Sequence, residues 1–464
     1  MLDSIQRSMR DSAKVRWSVV ALVSFTMLCG YIITDVMAPL KTMIEQDLGW
    51  SSYDYGLFTS GYGWLNVFVF MLIISGIVLD KMGVRFTGVS ATIVMIAGAG
   101  IKYWALSTVF DNPMATLSIG SWEIFSIKRQ VLYAALGFSV FGVGVEAIGI
   151  TATKAIVRWF KGKETALALG LNVATARIGT ILAMSVSPVI AEKFSSPSMP
   201  LLFCLLMLVV GLMSFLVFCV LDRRLDSEEV AEREASGEEF RLRDIVGIVK
   251  IRSFWYIAAL CVLFYSAVFP FLKYASDLMV QKFGVDSQLA GTIPSLLPLG
   301  TLFLTPLFGS IYDRKGRGAT IMIIGSLMLI AIHLLFSVPA LNNWVIAVIL
   351  MVLLGVAFSM VPSAMWPSVP KIIDERRLGT AYSLVFWIQN WGLMGVPLLI
   401  GYILDRPCCK VGMELVGGTE VPVYDYTVPM LVFATFGLLG LVFALLLKAD
   451  DKKMGYGLEE PNIE

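Results

Sequence analysis

The sequence predicts an all-α membrane protein, with twelve spanning helices in two bundles of six and both termini cytoplasmic. Three observations carry that expectation. The 464 residues are 57% hydrophobic and only 15% charged, whereas a soluble domain of this length carries about 25% charged residues. Apolar runs of roughly the 20 residues that a bilayer helix needs recur along the chain. A stretch dense in both signs of charge, DRRLDSEEVAEREASGEEFRLRD within 222–250, then divides those runs six and six.

The runs lie near 17–40, 55–79, 86–107, 131–154, 164–189 and 200–221, then 254–276, 288–311, 319–339, 344–369, 378–404 and 428–448. The expected units are thus an N-terminal bundle over 17–221, a cytoplasmic linker over 222–250, a C-terminal bundle over 251–448 and a cytoplasmic tail over 449–464. The first run is too long for a signal-peptide core and lacks a clear A-x-A cleavage site, so it is read as retained. With Arg7, Arg10, Lys14 and Arg16 placed in the cytoplasm, inside segments hold about 25 Lys and Arg and outside segments about 7, a positive-inside bias. The outside segments 108–130 and 405–427 are longer than a minimal loop, and the sequence gives them no clear role. A net charge of +1 implies no bulk pull toward nucleic acid. Of the six cysteines, Cys29, Cys204, Cys219 and Cys261 lie in apolar runs, while Cys408 and Cys409 are vicinal and outside. None of this spells a metal site or a disulfide framework, and there is no N-x-S/T sequon.

Each half carries one copy of a short signature after its second run. The first is GIVLDKMGVR, with Gly76, Asp80, Lys81, Gly83 and Arg85; the second is GSIYDRKGRG, with Gly309, Asp313, Arg314, Gly316 and Arg317. Two copies in matching places indicate a six-plus-six internal repeat. The glycines are expected to let one helix end approach another. The aspartates are expected to cap or pair across a helix interface, and the basic residues to sit at the cytoplasmic lipid surface. This is the signature of the major facilitator superfamily, which the sequence resembles here; it marks a structural contact beside a gate and says nothing about substrate.

Ionisable residues at bilayer depth are costly and are functional candidates by default. Asp35, Glu146, Arg177, Lys273 and His333 fall at such depth, whereas Lys102, Lys154 and Asp277 lie near helix ends and are expected to snorkel. Glu146 and Arg177 flank one cytoplasmic turn. Counted from its middle they lie roughly 20 and 27 Å deep, on axes about 8–10 Å apart. They can pair with each other as a structural ion pair, or hold apart a small zwitterion, amine on Glu146 and carboxylate on Arg177. The clamp is preferred. Small residues flank both (Gly142, Gly144, Ala147, Gly149; Ala174, Ala176, Gly179), which open space or permit close packing. A guanidinium also grips a carboxylate bidentately. Asp35, one turn past Tyr31, can bind a cation or proton or simply hydrogen-bond a neighbouring helix. His333, the one histidine, can act as a proton switch or be satisfied by a neighbour. Lys273 can contact substrate or snorkel. Tyr62, Trp64, Tyr265, Phe269, Trp366 and Tyr382 are packing residues or cavity lining, as are those beside Asn66, Gln389 and Asn390.

The stretch VRWFKGKETALALGLNVATARIG, Val157 to Gly179, resembles the lysosomal dipeptide transporter family, the major facilitator domain-containing protein 1 group. The shared features are Gly142 with Glu146, then Trp159 to Glu164, then Ala176 to Gly179. Tyr62-Gly-Trp64-Leu-Asn66, AVFPF at 267–271, MWP at 365–367 and LGTAY at 378–382 with Gln389 and Asn390 add to them, and His333 falls where the family has a histidine. The resemblance spans about 30 to 405. It implies dipeptide transport without a cofactor, by facilitated exchange, with Glu146 and Arg177 gripping the two ends of the peptide. The tyrosines, tryptophans and amides named above follow as further substrate contacts, together with Asp35 and Tyr31. Thr34 and Val36 depart from the tyrosine and asparagine of the family around Asp35. No acidic dileucine signal is present. The chain is therefore expected to be a bacterial plasma-membrane relative without an obligate accessory subunit.

The rival readings are a proton-coupled carrier of another zwitterion or organic anion and a nutrient receptor that does not transport. Anion carriers tend to use paired basic residues from both halves, and the first run offers Asp35 and no arginine. The E-x-x-E-R signature of proton-coupled oligopeptide transporters is missing. No nucleophile–base arrangement points to an enzyme.

Overall fold

The computed structural model describes residues 12–110, 114–119, 122–160, 163–228, 242–374, 377–416 and 419–461. It is almost wholly helical. α1 (Ala13–Asp35) leads through a 3-10 turn (Ala38–Leu40) into α2 (Lys41–Leu48). Then come α3 (Ser52–Phe68), α4 (Met71–Ser107), the hairpin strands β1 (Met114–Ile119) and β2 (Trp122–Lys128), α5 (Arg129–Trp159), α6 (Thr165–Lys193) and α7 (Met199–Glu228). After the short α8 (Leu242–Ile248) follow α9 (Arg252–Phe283), α10 (Thr292–Lys315), α11 (Gly318–Ser337), α12 (Trp344–Ile372) and α13 (Leu378–Leu404). A second hairpin, β3 (Lys410–Val416) with β4 (Thr419–Tyr424), leads into α14 (Thr427–Met454).

Among the described residues, eleven stretches are long and apolar enough to cross a bilayer. The shortfall from the expected twelve has a local cause. The second run, 55–79, is not one helix: Val69 and Phe70 separate α3 from α4, and Phe70 adopts φ 56°. The boundary expected between the second and third runs is real, because Gly83 (φ 78°, ψ 172°) interrupts α4. The equivalent boundary in the second half falls at Gly316 (φ 67°) and Arg317 (φ 64°). Positive φ is natural to glycine and costly for arginine.

Local chemistry explains several helix ends. Ser51-Ser-Tyr-Asp54 forms a capping box, in which the Ser51 hydroxyl accepts from Asp54 N (3.1 Å) and the Asp54 carboxylate from Ser51 N (2.9 Å). Asp405, which follows α13, accepts from the next two amides of α3, Ser52 N (3.2 Å) and Tyr53 N (2.7 Å). A carboxylate at a helix N-terminus is favoured by the dipole. On α7 the exposed stripe Leu206, Val210, Met213 and Val217 recurs at helical spacing and forms an outward apolar face suited to lipid.

The helices pack in two groups. α1 lies against α6 and α7, and α4 and α3 against α5; in the second group α10 lies against α12, α11 against α14, and α9 against α13 and α14. The groups meet along α3–α13 and α6–α10, and where α9 meets the 3-10 turn. Close backbone approach occurs where the small residues flank the charges. A Cβ on Gly142 would stand 2.3 Å from Tyr62 O, and one on Gly179 2.7 Å from Leu28 O. There the small residues serve packing rather than open space.

Several expectations need correction. A Cβ on Gly76 or Gly309 would meet nothing within 4 Å, so these signature glycines do not mediate a tight helix contact. Lys102 does not snorkel. It is fully buried, with Nζ 4.1 Å from the Phe138 ring centre and 5.2 Å from that of Phe58, and it donates to Ile33 O at 3.4 Å; cation–π attraction replaces a carboxylate partner. Asp277 is likewise buried. Of the charged linker, 229–241 with Arg233 and Arg241 lies outside the described residues. Asp222, at its start, is buried rather than wet: it receives Arg158 at 3.1 Å and Trp159 Nε1 at 2.9 Å. The tail is also partly ordered against the second group. Leu458 is buried, Gly318 N donates to its carbonyl at 2.8 Å, and Glu459 accepts from Thr320 N at 2.8 Å. The segments 108–130 and 405–427 hold the two antiparallel hairpins. Their end of the molecule is called the hairpin end below, and the opposite one the signature end.

Candidate functional site

Glu146 sits on α5 and Arg177 on α6, and the two do not pair. The Tyr62 hydroxyl on α3 donates to Glu146 Oε1 at 2.8 Å. Arg177 instead lies over two rings of the second group, 5.7 Å from the Phe269 centre on α9 and 5.8 Å from Phe358 on α12. Among the described residues, no carboxylate lies within ion-pair distance of Arg177. Tyr31 of α1 feels the charges of Arg177, Glu146 and Asp35, so these residues share one region. Both charged groups are half-buried.

An aromatic wall continues from Arg177 into the second group. Tyr265 packs on Phe269 (5.4 Å) and Phe358 (5.5 Å). Trp366 Nε1 donates to the Tyr265 hydroxyl at 3.0 Å, and the Tyr382 hydroxyl donates to Trp366 O at 3.3 Å. Gln389 accepts from Cys261 Sγ at 3.5 Å. Asn390 donates to Phe386 O of its own helix, and its Oδ1 is buried without a partner. Asn66 is buried with neither amide atom partnered. Trp64 turns to Ser60 of its own helix at 3.1 Å.

Two further candidates are engaged by the protein itself. Asp35 is occupied by protein partners: Lys273 Nζ at 2.6 Å from the second group, and the Thr180 hydroxyl at 2.8 Å. Lys273 also donates to Thr34 O at 2.9 Å. For Asp35 the contact with a neighbouring helix is the alternative seen here, and Lys273, expected to contact substrate or snorkel, reaches Asp35 across the two groups. His333 is buried within the second group, with Nε2 3.0 Å from Ala267 O and its ring stacked on Phe433 at 5.4 Å. It does not adjoin Glu146 or Arg177 among its described contacts.

The signature residues pair within the first group. Asp80 meets Lys154 at 2.5 Å, and Arg85 lies 3.7 Å from Asp222. Lys81 and Arg314 are exposed, and Asp313 is half-buried. Sequence reasoning missed the ring of Phe358, because aromatic residues abound in apolar runs and nothing local marks the one that meets a cation. It also missed the buried cluster at the hairpin end. Lys41 and Glu45 stand four apart, a visible helical pair, but their third member, Asp277, lies far along the chain.

A sequence profile of the Major Facilitator Superfamily matches residues 20–397 and 275–461. The chain belongs to the major facilitator superfamily. Within it, the chain is similar to the lysosomal dipeptide transporter MFSD1 of Mus musculus, 29% identical over 400 residues that cover 84% of this chain and 80% of that protein. The Bos taurus protein of the same name is 28% identical over 404 residues, with the same coverage. Solved structures share the superfamily fold. A bacterial homologue of the human lysosomal transporter Spinster, inward-facing and occupied, matches with a TM-score of 0.70 at 13% identity, covering 95% of this chain and 98% of that one. The nucleoside transporter NupG matches with a TM-score of 0.67 at 15% identity, covering 94% and 98%. The superfamily explains the paired signatures and the two helix groups, and its members are membrane transporters rather than enzymes.

Proposed function

We propose that this superfamily member carries dipeptides across the membrane by alternating access, with Glu146 holding the amino end and Arg177 the carboxylate. One observation carries the reading. Two opposite charges share a region where the helix groups meet, and each is turned to neutral partners rather than to the other. A structural ion pair would close that gap, because unpaired charge at this depth is expensive. The Tyr62 hydroxyl and two aromatic faces hold the two groups, weak neutral partners that a charged end of a substrate would displace. The similar proteins named as dipeptide transporters supply the substrate class.

The same reading has finer parts. Transport is facilitated uniport by rocking of two six-helix bundles over 17–221 and 251–448, with twelve crossings. The signature end with both termini faces the cytoplasm, and the membrane is a bacterial plasma membrane. No accessory subunit is required. In this reading the structure, with its cross-group contacts at the hairpin end, is a state closed to the outside.

The test is uptake of labelled dipeptide into proteoliposomes. Glu146→Gln and Arg177→Ala should each reduce uptake at least tenfold, with size-exclusion profiles unchanged, since a hydrogen bond to a charged group contributes about 1.5–3 kcal/mol. Full uptake by both variants would overturn the clamp.

A further inference from the structure

The hairpin end buries a second charged cluster that the transport reading does not use. Lys41 Nζ lies 2.8 Å from Glu45 Oε1 and 2.9 Å from Asp277 Oδ2, and all three side chains are fully shielded from solvent. One lysine therefore faces two carboxylates, a surplus of one negative charge.

The two acids are not equivalent. Asp277 is surrounded by donors: Thr42 to Oδ1 at 2.8 Å, and Lys41 and the Tyr426 hydroxyl to Oδ2. That environment suits an anion. Glu45 has its donors on Oε1 alone, from Lys41, from Ser52 at 2.8 Å and from the Tyr424 hydroxyl at 3.4 Å. Its Oε2 is buried and has no partner among the described residues. A bare, buried carboxylate oxygen beside a surplus negative charge is the arrangement that a bound proton relieves, because the neutral acid has far less to lose by desolvation. The remaining titratable groups facing Glu45 add no second cation. Among the described residues they are Tyr274 on α9 and Tyr55 on α3, while Asp405 after α13 lies at the amide of Ser52, whose hydroxyl donates to Glu45.

We propose that Glu45 is a proton-binding site that closes the hairpin end. In the closed state Oε2 carries the proton, the cluster is neutral, and Lys41 bridges α2 to α9 through Asp277. Loss of the proton leaves two carboxylates around one ammonium, and the helix groups part to let Glu45 reach water. A cavity of about 510 Å³ is lined by Thr42, the donor to Asp277, and by Ser276, and exposed Glu192 and Gln288 lie on its rim. Glu45 then exchanges its proton with the hairpin side when the groups part, so the proton sets the gate and is not carried across. The inference does not depend on which solute is carried.

The test needs no substrate. Spin labels at Lys193→Cys and Gln288→Cys, both exposed and in different helix groups, in a Cys408→Ser background report the width of the hairpin end in nanodiscs. Raising the pH from 5 to 9 should shift the distance distribution at least tenfold toward the longer, open population. Glu45→Gln, which keeps the shape of the neutral acid, should hold the short distance at both pH values. Replacing sodium by choline at fixed pH should change nothing. No pH response in the parent, an unchanged response in Glu45→Gln, or a response to sodium instead of pH would each overturn the proposal. If Glu45→Gln does not fold, Ser52→Ala, which removes a donor from Glu45 Oε1, should move the midpoint of the pH response to higher pH, and an unmoved midpoint overturns the proposal.

Discussion

The two ends of the molecule hold their charges in opposite ways. At the hairpin end, Lys41, Glu45 and Asp277 are wholly buried and join the two helix groups, and Asp35 with Lys273 and Asp405 with the start of α3 do the same. At the signature end, Asp80–Lys154 is partly exposed and Asp222 serves Arg158 and Arg85, all in the first group, while Lys448 with Glu459 stays in the second. Buried pairs that lose one partner are severely destabilised, whereas exposed pairs contribute little. The difference teaches that charge across the seam acts as a latch, and charge within a group merely as a brace. Of the pairs named here, those at the hairpin end join the two groups and those at the signature end stay within one.

Substitutions can break that comparison, the strongest at the latch. Lys41→Met strands the buried Asp277 carboxylate, which costs about 3–5 kcal/mol for a broken buried pair. It should open the hairpin end, read as a lengthened distance between labels at positions 193 and 288. An unchanged distance would show that the cluster does not fasten the groups. Asp80→Asn belongs at the other extreme. Its pair with Lys154 is partly exposed, so thermal stability in detergent should fall by no more than about 1 kcal/mol and the hairpin-end distance should stay the same. A change as large as that from Lys41→Met would erase the distinction between the ends.

Much of the architecture was legible before any coordinates, because hydrophobic runs of bilayer length and two matching signatures leave few folds open. Glu146 and Arg177 were legible for the same reason: charge is conspicuous in an apolar run. Other features depend on what meets what. Phe70 takes a left-handed conformation that nothing in its neighbourhood announces. Lys102 lies close enough to a helix end to suggest snorkelling, yet the face it occupies points inward between Phe58 and Phe138. The hairpins carried a weak signal in the β-branched and aromatic residues of WEIFSIK and TEVPVY, overshadowed by the long apolar runs beside them. The partner of Lys41 could not be read, since Asp277 comes from the other helix group.

The central claim is that Glu146 and Arg177 are kept apart for a guest with a positive and a negative end. Calorimetric titration of the purified protein with a dipeptide, its N-acetylated form and its C-terminal amide tests it most directly. The parent should bind each blocked form about 10- to 100-fold more weakly than the free dipeptide, the equivalent of one lost charged hydrogen bond. Glu146→Gln should no longer distinguish the acetylated form, and Arg177→Ala no longer the amide. Equal affinity of the parent for all three ligands, or discrimination unaltered in both variants, would contradict the account.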